Sequence, residues 1–174
     1  TELLLNVLAN ELQAGIAGLQ LDKEQVFGAV ERLHERVEGS YASIALIAGY
    51  GLLAFRDPYG IRPLVLGRRP GSNGSDEWVV ASDSLGLESG GHEIVRDVDP
   101  GEAILISPDG TMESRQCAKS HRLVPCAFEY IYLARPDSVL SGISVYDARL
   151  RLGDVLAEQI RTELPDVNID VVMP

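Results

Sequence analysis

SYASIALIAG, residues 40–49, followed by GLLAF, residues 51–55, is the stretch whose reading decides the fold. Two short apolar runs parted by a glycine-containing break read as neighbouring strands. SYASIALIAG has few polar side chains on either alternating face, which predicts a central strand covered on both sides rather than one with a wet face. Working outward, PLVLG, EWVVAS, HEIVRDV, EAILIS and MESRQ are further strand readings separated by Gly, Pro, Asp and Asn. A single, mostly antiparallel sheet is expected over residues 40–115, with helices on both faces. PGSNGSD reads as a loop, and SPDG as a turn with Pro and Gly placed as turn geometry requires.

Upstream, TELLLNVLANEL sets Leu4, Leu8 and Leu12 at helical spacing with Leu5 beside them. Asp22 and Gln25 have capping-box spacing, Val26, Val30, Leu33 and Val37 share one helical face, and Gly39 can end that helix. A single apolar stripe needs a flat apolar partner, so the helix over 22–38 is expected on a face of the sheet. Beyond Pro125, FEYIYLA reads as a short helix. YDARLRLGDVLAEQIRTEL reads as a long one, with Leu152, Leu156, Ile160 and Leu164 in line and Pro165 as its stop. IDVVMP reads as a strand, so a strand-helix-strand unit is expected to begin there, and both ends of the chain read as cut.

With 174 residues, 45% of them hydrophobic, the chain can bury one core, or one core and the start of another. No apolar run approaches a membrane span, and no basic leader precedes one, so no membrane partner is expected. A net charge of -11 opposes general binding to phosphate backbones, which argues against nucleic acid; a local basic cluster could still hold a small phosphorylated ligand. Cys117 and Cys126 are too few for a disulfide framework and lack zinc-ligand spacing, which suits a reducing, cytoplasmic setting.

The segment AFRDPYGIRPLVLG carries the clearest chemical pattern. Asp57, Pro58, Tyr59 and Gly60 fit a type I turn in which Pro58 presets the backbone and Asp57 can bond the following amides. Arg56 and Arg62 flank it. Two guanidiniums there could hold carboxylates or phosphates bidentately, or make ordinary ion pairs at strand ends. Glu129, one carboxylate without a visible partner, reads as an ion-paired structural residue. His34, His92 and His121 are scattered and read as surface residues. Thr1 as an N-terminal nucleophile is set aside, because it leads straight into an amphipathic helix where capping is its simpler role. Pro136 disfavours helix at Arg135, so FEYIYLA should end there, with Asp137 and Ser138 bonding the freed backbone.

Taken as whole strings, LLAFRDPYGIRPLVLG, WVVASDS, RDVDPGEAILISPDG, PCAFEYIYLARPDSVLSGISVYDARLRLG and IDVVMP resemble, in this order, the amidophosphoribosyltransferase family, the glutamine phosphoribosylpyrophosphate amidotransferases of purine biosynthesis. FRDPYGIRPL and ASDS alone would also fit other glutamine amidotransferases with an N-terminal cysteine, such as glucosamine-phosphate synthase. The block over residues 129–153 separates them. What the resemblance implies is an α+β protein. Residues 1–124 would be the second half of an αββα sandwich of the N-terminal-nucleophile glutaminase type. Residues 125–174 would be an interdomain segment with helices and the first strand of an α/β phosphoribosyltransferase domain.

The resemblance implies further that glutamine is hydrolysed and that the ammonia passes internally to displace pyrophosphate from phosphoribosyl pyrophosphate. The family's nucleophile is an N-terminal cysteine whose own amine acts as base. This sequence does not include it, nor the transferase loop with its Asp-Asp pair, so no catalytic residue is assigned here and the chain alone is expected to be inactive. Arg135, Asp137 and Tyr146 would stand at the domain junction on the ammonia route, with a plain salt-bridged turn as the other reading. Cys126 matches the position of an iron-sulfur ligand in some members; the other three ligands would lie in the transferase region, and the wording of the segment is closer to the cluster-free branch. Magnesium, nucleotide inhibitors and a homo-oligomer are expected of the whole enzyme. A different class II amidotransferase, or a non-catalytic module retaining the fold, are the alternatives.

Overall fold

The protein is described by a computed structural model covering residues 2–15, 21–72 and 74–173; Thr1 lies outside them. The leucine pattern of the first segment forms helix α1, Glu2–Gly15, which buries Leu8 and leaves Leu5 exposed. Helix α2, Lys23–Arg36, opens on the expected capping box: Gln25 N donates to Asp22 Oδ1 at 2.8 Å and Asp22 N donates to Gln25 Oε1 at 3.0 Å. Gly39 turns the chain away with φ +124°. Arg32 and Arg36 of α2 both reach the buried carboxylate of Glu11, which clamps the two helices together.

Among the described residues seven strands follow: β1 Ala42–Ile47, β2 Gly51–Arg56, β3 Val65–Pro70, β4 Asp76–Ala81, β5 Glu93–Asp97, β6 Glu102–Ile106 and β7 Met112–Gln116. All their pairings are antiparallel, as the sequence predicts. The expected single sheet, however, is two: one ordered β1-β2-β6-β7 and one ordered β4-β3-β5. The turn after β2 carries the chain out of the first sheet instead of folding it into a hairpin with β3, and no local pattern encodes that departure.

Strand alternation then builds the layers. Leu53, Phe55, Ala103 and Leu105 point to α2 and meet Val26, Phe27, Val30 and Leu33. Ala54 and Ile104 point the other way, onto Leu66 and Val80 of the second sheet and Leu64 and Val98 at its strand ends. On the outer face of that sheet lies α3, Ser84–Ser89, whose Leu87 is fully buried; a side chain at Gly67 would come within 3.0 Å of it. Helix, sheet, sheet and helix are therefore stacked in that order. Helix α3 has no counterpart in the strand reading of EWVVAS, although Asp83 caps it by accepting from Leu85 N at 2.7 Å.

β1 is not the central strand its apolar faces predict. It stands at the edge of the first sheet, where Ala45 and Ile47 join the helix-facing core while Ile44 and Leu46 are 47% and 80% exposed. The core between the sheets reaches Ala42 and goes no further along that face. Apolar alternation specifies which faces want cover, not whether a neighbour supplies it.

After β7 the chain returns to the turn at residues 57–60. Arg122 N donates to Pro58 O, Val124 N to Tyr59 O and Cys126 N to Ile61 O, at 3.1, 2.7 and 3.1 Å. The FEYIYLA helix is present, but as a π-helix over Glu129–Leu133, closed by Ala134 N donating to Glu129 O at 2.9 Å. A two-stranded hairpin, β8 Val139–Leu140 and β9 Ile143–Ser144, turns through Ser141 and Gly142, both with positive φ as a tight hairpin requires. Helix α4, Val145–Glu163, follows. IDVVM does not form the expected strand: residues 169–173 are irregular, with Val172 84% exposed, because no described segment offers them a ladder. No described helix is long and apolar enough to cross a membrane.

Candidate functional site

The turn after β2 is locked from both ends. Asp57, fully buried, accepts from Tyr59 N at 2.9 Å, Ile61 N at 3.1 Å and Tyr41 N at 3.3 Å. Its carbonyl closes the turn with Gly60 N at 2.9 Å. Gly60 has φ +56° and no room for a side chain, since a Cβ would lie 3.0 Å from Pro100 and 3.1 Å from the Arg56 guanidinium. Arg56 is itself buried and uses all three nitrogens on backbone carbonyls: Nε on Arg62, Nη1 on Val98 and Nη2 on Gly60, at 2.8, 2.7 and 2.8 Å. Burial lowers its pKa, opposed by the nearby carboxylates of Asp97 and Asp57. The two arginines paired by the sequence reading thus have separate tasks. Arg56 ties backbone together, while Arg62 reaches outward.

Arg62 borders a cleft of about 570 Å³ together with Pro63, Ser82, Tyr41, Ile44 and Leu8. Its Nε lies 2.8 Å from the carboxylate of Glu129, a residue only 5% exposed, in an ion pair rather than an aligned hydrogen bond. Glu129 is therefore the ion-paired acid its sequence context suggests. Its partner could not have been found from spacing, because the two residues sit on segments brought together by the return of the chain to the turn.

His34 stands behind the same cleft. Its Nδ1 and the Tyr41 hydroxyl are 2.8 Å apart, and its ring contacts those of Tyr41 and Phe55, both lining residues. Burial pushes its pKa down to about 4 and the Tyr41 pKa up. This corrects the surface reading of His34: α2 presents it to the sheet one residue after Leu33. His92 is half-buried with a buried Nδ1 lacking a partner, and only His121 is exposed.

At the far end of the turn region, Arg135 and Asp137 form an exposed fork, with Nε to Oδ1 and Nη2 to Oδ2 both 3.2 Å. Tyr146, in the first turn of α4, is 56% exposed. Ser138 Oγ donates to Asp83 Oδ2 at 2.8 Å and Val139 N to Ser84 Oγ at 3.2 Å, which fastens the hairpin to the α3 cap. Arg149 of α4 donates to the carbonyls of Tyr130 and Ala134 at 2.8 and 2.7 Å.

The cysteines do not compose a metal site. Cys117 is buried with its Sγ 3.7 Å from the carbonyl of Phe27, and burial pushes its thiol up to about 12. Cys126 is half-buried and unpaired with another cysteine. An iron-sulfur cluster needs four thiolates, and the sequence holds two cysteines. Among the described residues no group of three or more His, Cys, Asp or Glu is placed to hold a metal ion.

No family model matches the chain. Solved structures similar to the chain include two enzymes. The allosteric regulatory enzyme of purine biosynthesis superposes with a TM-score of 0.72 at 32% identity, over 88% of this chain and 30% of that one. The glutamine phosphoribosylpyrophosphate amidotransferase of B. subtilis, complexed with ADP and GMP, gives 0.72 and 32%, over 88% and 31%. The fold is thus shared with part of each of these two enzymes. Among curated relatives, the amidophosphoribosyltransferases of Pasteurella multocida and Escherichia coli K12 are 53% and 46% identical across the whole chain. The chain spans about a third of their length, 34% in each case. From end to end, it matches one portion of amidophosphoribosyltransferase, the family its motifs resemble.

Proposed function

We propose that these residues work as part of a glutamine-dependent amidophosphoribosyltransferase. The enzyme would convert glutamine, water and phosphoribosyl pyrophosphate to glutamate, 5-phosphoribosylamine and pyrophosphate. The observation that carries this reading is the identity of 46 to 53% to enzymes of that name across the full chain. Glucosamine-phosphate synthase is not favoured, because the resemblance includes the block over residues 129–153 that sets the two apart.

On this reading the layered sheets belong to the glutaminase part, of N-terminal-nucleophile type, and the chain passes toward the transferase near residues 125–174. The backbone rungs of residues 122–126 on the turn at 58–61 support a division there, since beyond them the arm meets the sheet region through side chains alone. Arg135, Asp137 and Tyr146, exposed on the arm beyond it, would face the transferase and border the ammonia route. Cys126 would be a packing residue. Magnesium and phosphoribosyl pyrophosphate would belong to the transferase part, nucleotides would act as inhibitors, and the whole enzyme would be a cytoplasmic homo-oligomer.

The test is to purify the full-length protein that carries this segment and supply it with magnesium, phosphoribosyl pyrophosphate and glutamine. Glutamate and pyrophosphate should form in equal amounts. Glucosamine 6-phosphate made from fructose 6-phosphate and glutamine, with no pyrophosphate released in the first assay, would overturn the reading.

A further inference from the structure

Resting on the reading of the preceding subsection, we propose that Glu129 is a positioning residue that holds the Arg62 guanidinium at the cleft wall and thereby couples the cleft to the C-terminal arm. The main chain at Arg62 is fixed: its carbonyl is held by Arg56 Nε at 2.8 Å, and the preceding turn is pinned by Asp57. What remains adjustable is the Arg62 side chain, which is 49% exposed against 7% for the side chain of its partner.

That asymmetry sets the direction of control. A buried carboxylate that loses its counter-ion is strongly disfavoured, whereas a half-exposed guanidinium can turn to water. Glu129 Oε1 has no aligned hydrogen bond, so the Arg62 charge is what compensates it. If the π-helix moves, Arg62 must follow it or leave the acid uncompensated. The contact also continues beyond Glu129. The same π-helix is held by Arg149 of α4 through the carbonyls of Tyr130 and Ala134, giving a contiguous path from α4 through the π-helix to the cleft. Single π-helical turns recur at functional sites. Here the π-helix begins at Glu129, which it buries.

The proposal is tested in the full-length enzyme by running synthesis with glutamine and, separately, with free ammonia as the nitrogen source. Glu129→Gln keeps the size and removes the charge. Its ratio of glutamine-driven to ammonia-driven synthesis should fall about fivefold or more, and glutamate formed per pyrophosphate should rise above one. Arg62→Met, placed on the more exposed side of the pair, should shift both readouts the same way, and Arg62→Lys should recover part of the loss. A parallel decline of both syntheses, or a glutamate-to-pyrophosphate ratio unchanged in Glu129→Gln and Arg62→Met, would overturn the proposal by making the pair merely structural. Wild-type enzyme that releases pyrophosphate with neither nitrogen source would instead overturn the functional reading on which it rests.

Discussion

Helix α2 and helix α4 are both amphipathic, well capped and stopped by identifiable residues, yet they stand in opposite situations. α2 buries Val26, Phe27, Val30 and Leu33 against the first sheet, and none of the four exceeds 1% exposure. α4 leaves Leu152, Val155 and Leu156 at 47 to 67% exposure and buries only Val145 at its start. The difference shows that a stripe of leucines reports a need for cover, not its presence. α2 is made by packing. α4 is set by its Ser144 cap, by its own backbone and by the Arg149 bonds to the π-helix.

Removing an equivalent side chain from each helix sharpens that contrast most. Leu33→Ala should cost about 2–5 kcal/mol, whereas Leu156→Ala should stay within about 0.5 kcal/mol, read from urea unfolding midpoints. Equal losses would mean that α4 is packed in solution as α2 is.

A second way to probe the packed side uses pH. The native state holds His34 neutral, with its pKa lowered from 6.5 to about 4, so the unfolded chain binds the proton more readily in the interval between. Stability from this group is therefore fully present above pH 6.5 and is lost as pH falls toward 4. Allowing for the residual solvation of the ring, the loss should be about 2 kcal/mol. His34→Gln should flatten stability across that interval, and an unchanged slope would remove His34 as its cause.

The smallest expected contrast between the two helices is at their caps. Asp22→Ala breaks the capping box of α2 and should cost about 1 kcal/mol. Ser144→Ala, at the start of α4, should lower helicity by circular dichroism more than it lowers the global unfolding free energy. A larger global loss from Ser144→Ala than from Asp22→Ala would reverse the ranking of the two helices.

These cases also mark where sequence reading succeeds and stops. The capping box, the turn at Asp57, the stop at Arg135 and the antiparallel pairing all rest on signals spanning a few residues, and they were readable. The division into two sheets, the edge position of β1, the short helix over Ser84–Ser89 and the absence of a strand over residues 169–173 depend on which distant segment arrives alongside. The candidate site divides likewise. Arg56, Asp57 and Arg62 stood out through the turn they flank, but Arg56's commitment to three carbonyls and Arg62's reach to Glu129 follow from burial and chain return. The surface reading of His34 fails because three scattered histidines give no spacing to interpret, while its neighbour Leu33 points the same helical face at the core.

The Arg56 guanidinium joins carbonyls from residues 60, 62 and 98, three points the chain reaches at different times. A turn is ordinarily among the first parts of a protein to open and let its amide protons be replaced by deuterium. Here the amides of Tyr59, Gly60 and Ile61 are bonded to the buried Asp57, and the turn that carries them is latched by a charge that also grips the carbonyl just past β5. Their exchange should keep pace with the centre of the first sheet, so that in time, if not in space, this turn belongs to the interior.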